Sequence, residues 1–176
     1  FPGIQIIFSD NIIEYSSLNE KTKTSVIYDW RKKLDDSWGS PFTVDSLRWN
    51  TITHYVLASQ YKKGFPDFYK EFSLDSESEL STSLELAKAA TSKSGKLENK
   101  QVRPENVTVD ADYFTVGTEP RKDQERYIAL EAKFTQNLDL QRVLMETKRA
   151  KLVKFIRRND PEPDTQLMQL RKKISL

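Results

Sequence analysis

Short apolar runs broken by polar residues predict the strands of this chain. The runs "IQIIF" (4–8) and "NIIEYSS" (11–17) are rich in β-branched residues, which favours strands near the start. The segment "SPFTVDSLRW" (40–49) alternates apolar and polar positions around "VDS", a pattern typical of a strand or hairpin arm. Further strands are predicted within "VTVDADYFTV" (107–116) and at "AKLVKFIRR" (150–158).

Apolar residues at helical spacing predict the remaining elements. Helices are predicted over 26–34, from Asn50 to Gly64, from Thr82 to Ala90, over 119–137, from Asp139 onwards and over 165–174. In the second of these, Asn50 is the predicted N-cap and Tyr55 lies on the buried face, with His54 beside it. Thr82 and Glu85 form the predicted capping box of the third helix. Because strands and helices do not alternate regularly, the predicted fold class is α+β.

The composition argues against several kinds of site. The chain has 176 residues, with 28 Lys and Arg against 26 Asp and Glu, no cysteine and one histidine. We therefore expect no disulfide and no metal centre, since zinc sites usually need several Cys or His ligands. No glycine-rich phosphate loop of the common types occurs, and we expect no cofactor. No apolar run approaches the ~20 residues of a membrane span, so we expect no membrane partner.

The start of the chain and its composition predict its context. "FPGIQIIFSD" has neither an initiator methionine nor the apolar core of a signal peptide. We therefore expect a piece of a longer chain, with neighbouring domains or protein partners. The lack of cysteine predicts an intracellular location, cytoplasmic or nuclear. A composition leaning to Lys, Asn and Ser with few glycines is typical of an AT-rich genome, such as that of a protist or a large virus. If the chain is viral, we expect it to be associated with the virion.

Several segments carry a resemblance to the YbiA-like, or NADAR, family. "WNTITHYVLASQY" (49–61) resembles the family helix W-P-T-x-E-H-x-x-Q-A-x-K-F. "ALEAKFTQNLDLQRVLMETKRAKLV" (129–153) resembles A-L-x-A-K-F-x-Q-N-x-x-L-x-x-L-L-x-T-x-x-x-x-L-V. "PFTVDSLRW" (41–49) and "QLMQLRKKI" (166–174) resemble the family's segments before the first helix and at the end of the domain. The four segments occur in the family's order.

The resemblance implies a fold and a chemistry. It implies one α+β domain over 1–176, in which a small sheet is surrounded by helices, with insertions at about 18–40 and 97–115. Characterised members of the family resemble N-glycosidases. The implied substrates carry an N-glycosidic bond, either in an ADP-ribose-type molecule or in a ribosylamine of the riboflavin pathway. A nucleotide-like small molecule is therefore the implied ligand.

The matching positions also imply site residues. Trp49, His54 and Lys133 stand where the resemblance implies ligand contacts. Thr53, His54 and Asp160 stand where it implies the remnant of a catalytic pocket. Asp160 matches the family's loop aspartate only if the alignment shifts by one position.

The chain departs from the family where the chemistry is expected. Thr53 stands in place of the glutamate before the helix histidine, and a threonine hydroxyl cannot replace a carboxylate as a base. The family's pocket tryptophan falls near Thr118, Lys154 stands in place of a second glutamate, and the W-G loop that follows is missing. The residues that support the fold are kept while those that support the reaction are replaced.

Three functions follow from these observations. The first is a pseudoenzyme, a catalytically degenerate domain that serves as a binding or structural module of a larger protein. The second is an N-glycosidase with a rearranged site that uses Asp160 or Asp112 as its carboxylate. The third is a nucleic-acid-binding module that works through a basic segment (148–158) and through 171–173.

Some residues admit two interpretations each. The basic segment contains Lys148, Arg149, Lys151, Lys154, Arg157 and Arg158, which form either a polyanion-binding patch or a solvated surface. Asp110 and Asp112 are either a metal-binding or acid pair, or ordinary loop residues. Trp30 and Trp38 either anchor an interface or pack the insertion onto the body of the protein. His54 either contacts a ligand or bonds within the fold.

Overall fold

The structure is a computed structural model that describes residues 4–7, 29–115, 117 and 119–176. The predicted strand at 11–17, the first residues of the predicted helix at 26–34, and Thr118 lie outside the described residues. The chain divides into two compact units: unit 1 contains Phe1–Trp38 and Phe134–Leu176, and unit 2 contains Gly39–Lys133. This division does not decide whether 1–176 is a single domain, which stays a prediction.

Helices and short antiparallel strands are mixed along the described chain, so the fold class is α+β, as the sequence predicts. In chain order the elements are β1 (Ile4–Ile7), α1 (Trp30–Lys33), β2 (Phe42–Val44), β3 (Leu47–Trp49), α2 (Ile52–Ser59), α3 (Pro66–Glu71), α4 (Leu84–Thr91), β4 (Lys96–Leu97), β5 (Lys100–Gln101), α5 (Arg121–Gln136), α6 (Leu138–Glu146), β6 (Lys151–Lys154), β7 (Glu162–Pro163) and α7 (Thr165–Ile174). Two 3-10 turns, Leu74–Ser76 and Glu79–Ser81, lie between α3 and α4.

Unit 1 is organised around a three-stranded antiparallel sheet with the order β1-β6-β7. Ile4 lies opposite Lys154, and Val153 lies opposite Pro163. Leu152 and Val153 are both buried although successive strand residues point to opposite faces, so both faces of β6 are covered. The side chains that form the core of this unit are apolar: Leu34, Leu140, Val143, Leu144, Leu152, Leu167 and Leu170.

The strand predicted at 150–158 is shorter than expected. β6 ends at Lys154 because the chain then turns back, with Arg158 in the left-handed region at φ 69°, to form β7. The Asp164 carboxylate then accepts the backbone N–H of Leu167 at 3.2 Å and caps α7. The final helix is present at the predicted residues.

Unit 2 begins with the predicted hairpin. β2 and β3 pair antiparallel, and Asp45 and Ser46 form the turn with φ angles of 56° and 61°. Two left-handed residues give a turn whose twist matches that of the paired strands. The helices α2, α3 and α4 and the two-stranded sheet of β4 and β5 follow. α5 begins in unit 2 and its last turn belongs to unit 1.

Three predicted helix starts are wrong by one or two residues. Thr51, rather than Asn50, caps α2, because Thr51 is extended and its Oγ1 accepts the backbone N–H of His54 at 3.1 Å. Ser83, rather than Thr82, caps α4, because its Oγ accepts the N–H of Leu86 at 3.2 Å. The sixth helix begins at Leu138 rather than at the predicted Asp139. At Thr51 and Ser83 the backbone conformation, which sequence alone does not give, selects between adjacent polar residues.

The strands predicted within 107–116 do not form over the described residues of that segment. The backbone N–H of Asp110 donates to the carbonyl oxygen of Gln60 at 2.7 Å, and the Asp110 carboxylate accepts the N–H groups of Lys63 and Gly64 at 3.0 and 2.9 Å. These bonds hold the segment as a loop against the end of α2.

Over the described residues, every helix is too short or too polar to cross a membrane.

Candidate functional site

Trp49 is a core residue at the end of β3. Its side chain is completely buried, and its indole N–H donates to the Val44 carbonyl at 3.1 Å. Its ring packs edge-on against Tyr55 at 5.1 Å and tilted against Tyr69 at 5.0 Å between centroids. The ring therefore joins the hairpin to α2 and α3 and presents no surface to a ligand.

His54 lies in the first turn of α2 and is also completely buried. Thr51 Oγ1 lies 2.8 Å from His54 Nδ1 while it accepts the backbone N–H of His54. A hydroxyl can donate to an imidazole nitrogen or accept from it, so this bond fixes the orientation of the ring in either neutral tautomer. Burial lowers the pKa of His54 to about 4, against a smaller opposite effect of the Ser83 backbone. The side chain is thus neutral at neutral pH.

The Nε2 atom of His54 has no hydrogen-bond partner among the described residues. The Ser83 carbonyl is close enough to favour the charged ring but does not have the geometry of a hydrogen bond to Nε2. The ring is therefore held on one side by Thr51 and is enclosed on the other.

The other predicted pocket residues lie in different surroundings. Lys133 is completely buried, near the end of α5. Thr53 is partly exposed on α2. Asp160 is exposed and belongs to unit 1, whereas Trp49, Thr53, His54 and Lys133 belong to unit 2.

Unit 2 contains a polar network centred on Lys62. Its Nζ lies 2.7 Å from Asp45 Oδ2, 3.2 Å from Tyr55 Oη and 3.5 Å from Glu125 Oε2. Tyr55 Oη donates to Glu125 Oε2 at 2.5 Å, and Tyr69 Oη donates to Asp45 Oδ2 at 2.7 Å. One lysine thus joins two carboxylates, each of which also holds a tyrosine proton.

The electrostatics of this network fix its protons. Burial, reinforced by Glu125, raises the pKa of Tyr55, and burial together with Asp45 raises the pKa of Tyr69. Burial alone would raise the pKa of Asp45, but the bonds from Lys62 and Tyr69 outweigh it and lower that pKa. The tyrosines therefore keep their protons and Asp45 keeps its charge near neutral pH.

A second network is centred on Arg121, at the start of α5. Its guanidinium lies 2.7 Å from Asp110 Oδ2, 3.0 Å from Asp112 Oδ1 and 3.2 Å from Glu125 Oε1. It also donates to the Ser59 carbonyl at 3.1 Å. Asp110 and Asp112 are therefore loop residues held by a cation, and among the described residues no group of three or more His, Asp or Glu could hold a metal ion.

The basic residues of the basic segment are divided in their exposure. The exposed members are Lys148, Arg149, Lys151, Arg157 and Arg158. Lys154 lies 3.7 Å from the buried carboxylate of Asp164. Nearby in sequence, Arg171 donates to Thr147 Oγ1 at 2.7 Å, and burial lowers its pKa. Part of the predicted patch is thus engaged within unit 1.

Of the two tryptophans in the predicted insertion, Trp30 is buried and Trp38 is partly exposed. Trp30 therefore packs onto unit 1, with the Arg31 guanidinium 4.2 Å from its ring centroid.

Comparison with protein-family models, curated proteins and solved structures gave no match. The resemblance to the NADAR family therefore stays a prediction.

The two networks could not be predicted from the sequence, because their members are far apart along the chain. Tyr55 and Glu125 are separated by most of unit 2, and Lys62 looks like an ordinary basic residue at a helix end. The one signal for a network in the sequence is Glu125, a carboxylate on the inner face of a long amphipathic helix. A glutamate buried there requires a polar or charged partner.

Proposed function

We propose that this chain is a non-catalytic binding module of NADAR-like ancestry that serves protein partners or neighbouring domains. One observation carries the proposal. The three residues at positions of implied ligand contact, Trp49, His54 and Lys133, are completely buried. Side chains in such positions stabilise a fold but cannot contact a nucleotide-like ligand without a rearrangement of the core.

The chemistry of the surrounding groups supports the same proposal. Cleavage of an N-glycosidic bond passes through an oxocarbenium-like state. A free carboxylate either stabilises the positive charge of that state or activates the attacking water. Thr53 offers no carboxylate, and the buried Glu125 is held by Tyr55, Lys62 and Arg121. Asp112 is bound by Lys63 and Arg121, which lower its pKa. An intracellular location, cytoplasmic or nuclear, is part of this proposal.

The test is an assay for base release from NAD⁺ and ADP-ribose, with ribosylaminouracil phosphate as the ribosylamine substrate. We expect no release above the buffer rate. We also expect that Thr53→Glu does not restore release, because a single carboxylate beside a buried neutral histidine does not supply a complete site. If the natural chain releases base, and Asp160→Asn or Asp112→Asn abolishes that release, the chain is an enzyme instead.

Nucleic-acid binding is a second candidate, supported by the five exposed basic residues of the basic segment. Binding of a labelled single-stranded oligonucleotide should then weaken steeply between about 50 and 200 mM salt, because each phosphate contact releases counterions. Arg157→Gln with Arg158→Gln should reduce the salt dependence. If no binding occurs even at low salt, this candidate fails.

A further inference from the structure

A cleft of about 530 Å³ opens on the surface of unit 2. Its walls come from the end of α3, the 3-10 turn at Glu79–Ser81, the first turn of α4 and the β4–β5 hairpin. The volume lies within the ~300–1,000 Å³ range of ordinary ligand clefts. None of the residues in the two polar networks, and none of the residues implied by the family resemblance, lines it.

The charge of the cleft is strongly one-sided. Glu71, Glu79, Glu85 and Glu98 line it, against a single cation, Lys100. All four glutamates are exposed, and their carboxylates make no hydrogen bond or ion pair with other described residues. By contrast, Asp45 and Asp110, which belong to the two networks, each pair with a lysine or an arginine. A cleft lined by like charges concentrates its field and attracts the opposite charge.

Apolar side chains line the cleft together with the glutamates. Leu80 is buried, and Leu86, Leu97 and Val102 are partly exposed. Lysine and arginine have long aliphatic stems that lie on apolar surface while the charged ends reach polar groups. A lining that combines apolar side chains with carboxylates matches these two side chains better than it matches a purely polar cation.

The arrangement of the carboxylates also limits the kind of ligand that the cleft can bind. Within the part of the chain that the structure describes, these glutamates do not converge closely enough to form a metal site. The positive charges that would match them must therefore be spread over several positions. An extended peptide with several basic side chains meets this requirement.

We propose that this cleft docks an extended segment, rich in lysine or arginine, from a partner protein. The charged ends pair with Glu79, Glu85 and Glu98, and the stems and intervening apolar side chains lie on Leu86, Leu97 and Val102. This proposal rests on the proposed function, because it names the chemistry of the partner that the binding module takes.

The test measures fluorescence anisotropy of a labelled peptide, Gly-Lys-Leu-Lys-Leu-Lys-Gly, with the full chain. Gly-Glu-Leu-Glu-Leu-Glu-Gly is the control peptide. We expect the basic peptide to bind, more weakly as salt increases, and the acidic peptide not to bind. The triple variant Glu79→Gln, Glu85→Gln, Glu98→Gln should weaken binding about tenfold, since three surface ion pairs are lost.

A matched variant separates the cleft from the overall charge. Glu77, Glu105 and Glu119 are exposed in unit 2 but do not line the cleft. Their replacement by glutamine changes the net charge by the same amount, and we expect the affinity to change less than twofold. Equal losses in the two triple variants would overturn the proposal, and so would no binding by the natural chain.

The two failures can be told apart. If the basic peptide does not bind and no base is released, the docking proposal fails while a non-catalytic module remains. If base is released, the proposed function itself fails, whatever the peptide does.

Discussion

At the residue scale, His54 shows how burial determines the role of a titratable group. Thr51 Oγ1 accepts its backbone N–H and bonds to Nδ1, and the ring is completely enclosed. A protonated ring would lose its solvation, so the folded state selects the neutral form. The histidine of "WNTITHYVLASQY" is thus part of the core of unit 2.

The stability of the protein should depend on the protonation of His54. Its folded pKa of about 4 is lower than the ordinary value of 6.5, so the unfolded chain takes up the proton first as pH falls. Above about pH 6.5, His54 does not lower the free energy of unfolding. Between pH 6.5 and 4 the free energy of unfolding should fall by up to about 3 kcal/mol, and below pH 4 this loss should stop growing.

The His54→Asn variant isolates this effect, because the asparagine amide can hydrogen-bond to Thr51 Oγ1 but does not titrate. The measurement is the free energy of unfolding in urea as a function of pH, for both proteins. The difference between them should change only between about pH 6.5 and 4. Parallel curves across that window would show that His54 is not held neutral by the fold.

Tyr55 and Tyr61 are both completely buried but differ in their hydroxyl bonds. Tyr55 donates to Glu125 at 2.5 Å, whereas among the described residues the Tyr61 hydroxyl bonds only to Arg103, at 3.4 Å. Tyr55→Phe should lower the free energy of unfolding by about 1–3 kcal/mol, because the buried Glu125 carboxylate loses one of its donors. Tyr61→Phe should lower it by under about 1 kcal/mol. Equal losses in urea denaturation would contradict a special role of Tyr55.

At the element scale, Arg121 connects pieces of backbone that have no sheet or helix in common. Its side chain holds the loop at Asp110 and Asp112, the last carbonyl of α2 at Ser59, and Glu125 one turn along α5. Only 11% of the side chain is exposed. Its bonds therefore exchange little with water, and the loop depends on them.

Replacement of Arg121 by alanine should release this loop. Asp110 would lose its cation and Glu125 would keep only Lys62, and we expect the free energy of unfolding to fall by about 3 kcal/mol. Hydrogen exchange at the amides of Asp110 and Tyr113 should accelerate beyond that of α4. The control is Arg48→Ala, which removes the pair with Asp75 at a side chain that is 61% exposed and should cost under about 1 kcal/mol. A similar cost for both would mean that the Arg121 network does not hold the loop.

The sequence predicted elements better than it predicted their ends. The hairpin, α5 and α7 form where their apolar patterns place them, because those patterns reflect which face is buried. The ends of α2 and α4 depend on which of two adjacent polar residues adopts an extended backbone, as Thr51 and Ser83 do. The segment at 107–116 has strand-like composition, yet bonds from distant residues hold it as a loop.

At the scale of the whole molecule, the site was the hardest part to predict. A local motif identified Trp49 and His54 but could not show that both would be enclosed. The acidic cleft is assembled from α3, α4 and the β4–β5 hairpin. Its glutamates are dispersed along the sequence, where they look like ordinary acidic surface residues. Which side chains share a cleft follows from tertiary packing, and no sequence spacing encodes it.

The chain order of the two units has a consequence for synthesis. Unit 2 is continuous, whereas unit 1 is made from the two flanking segments. A nascent chain emerges from its N-terminus, so β1 is translated before unit 2, whereas its partner strand β6 is translated after unit 2. Unit 2 has its whole sequence available long before that pairing can occur. β1 is therefore synthesised before unit 2 but can pair with β6 only after unit 2 has been translated, and until then its edge lacks this partner.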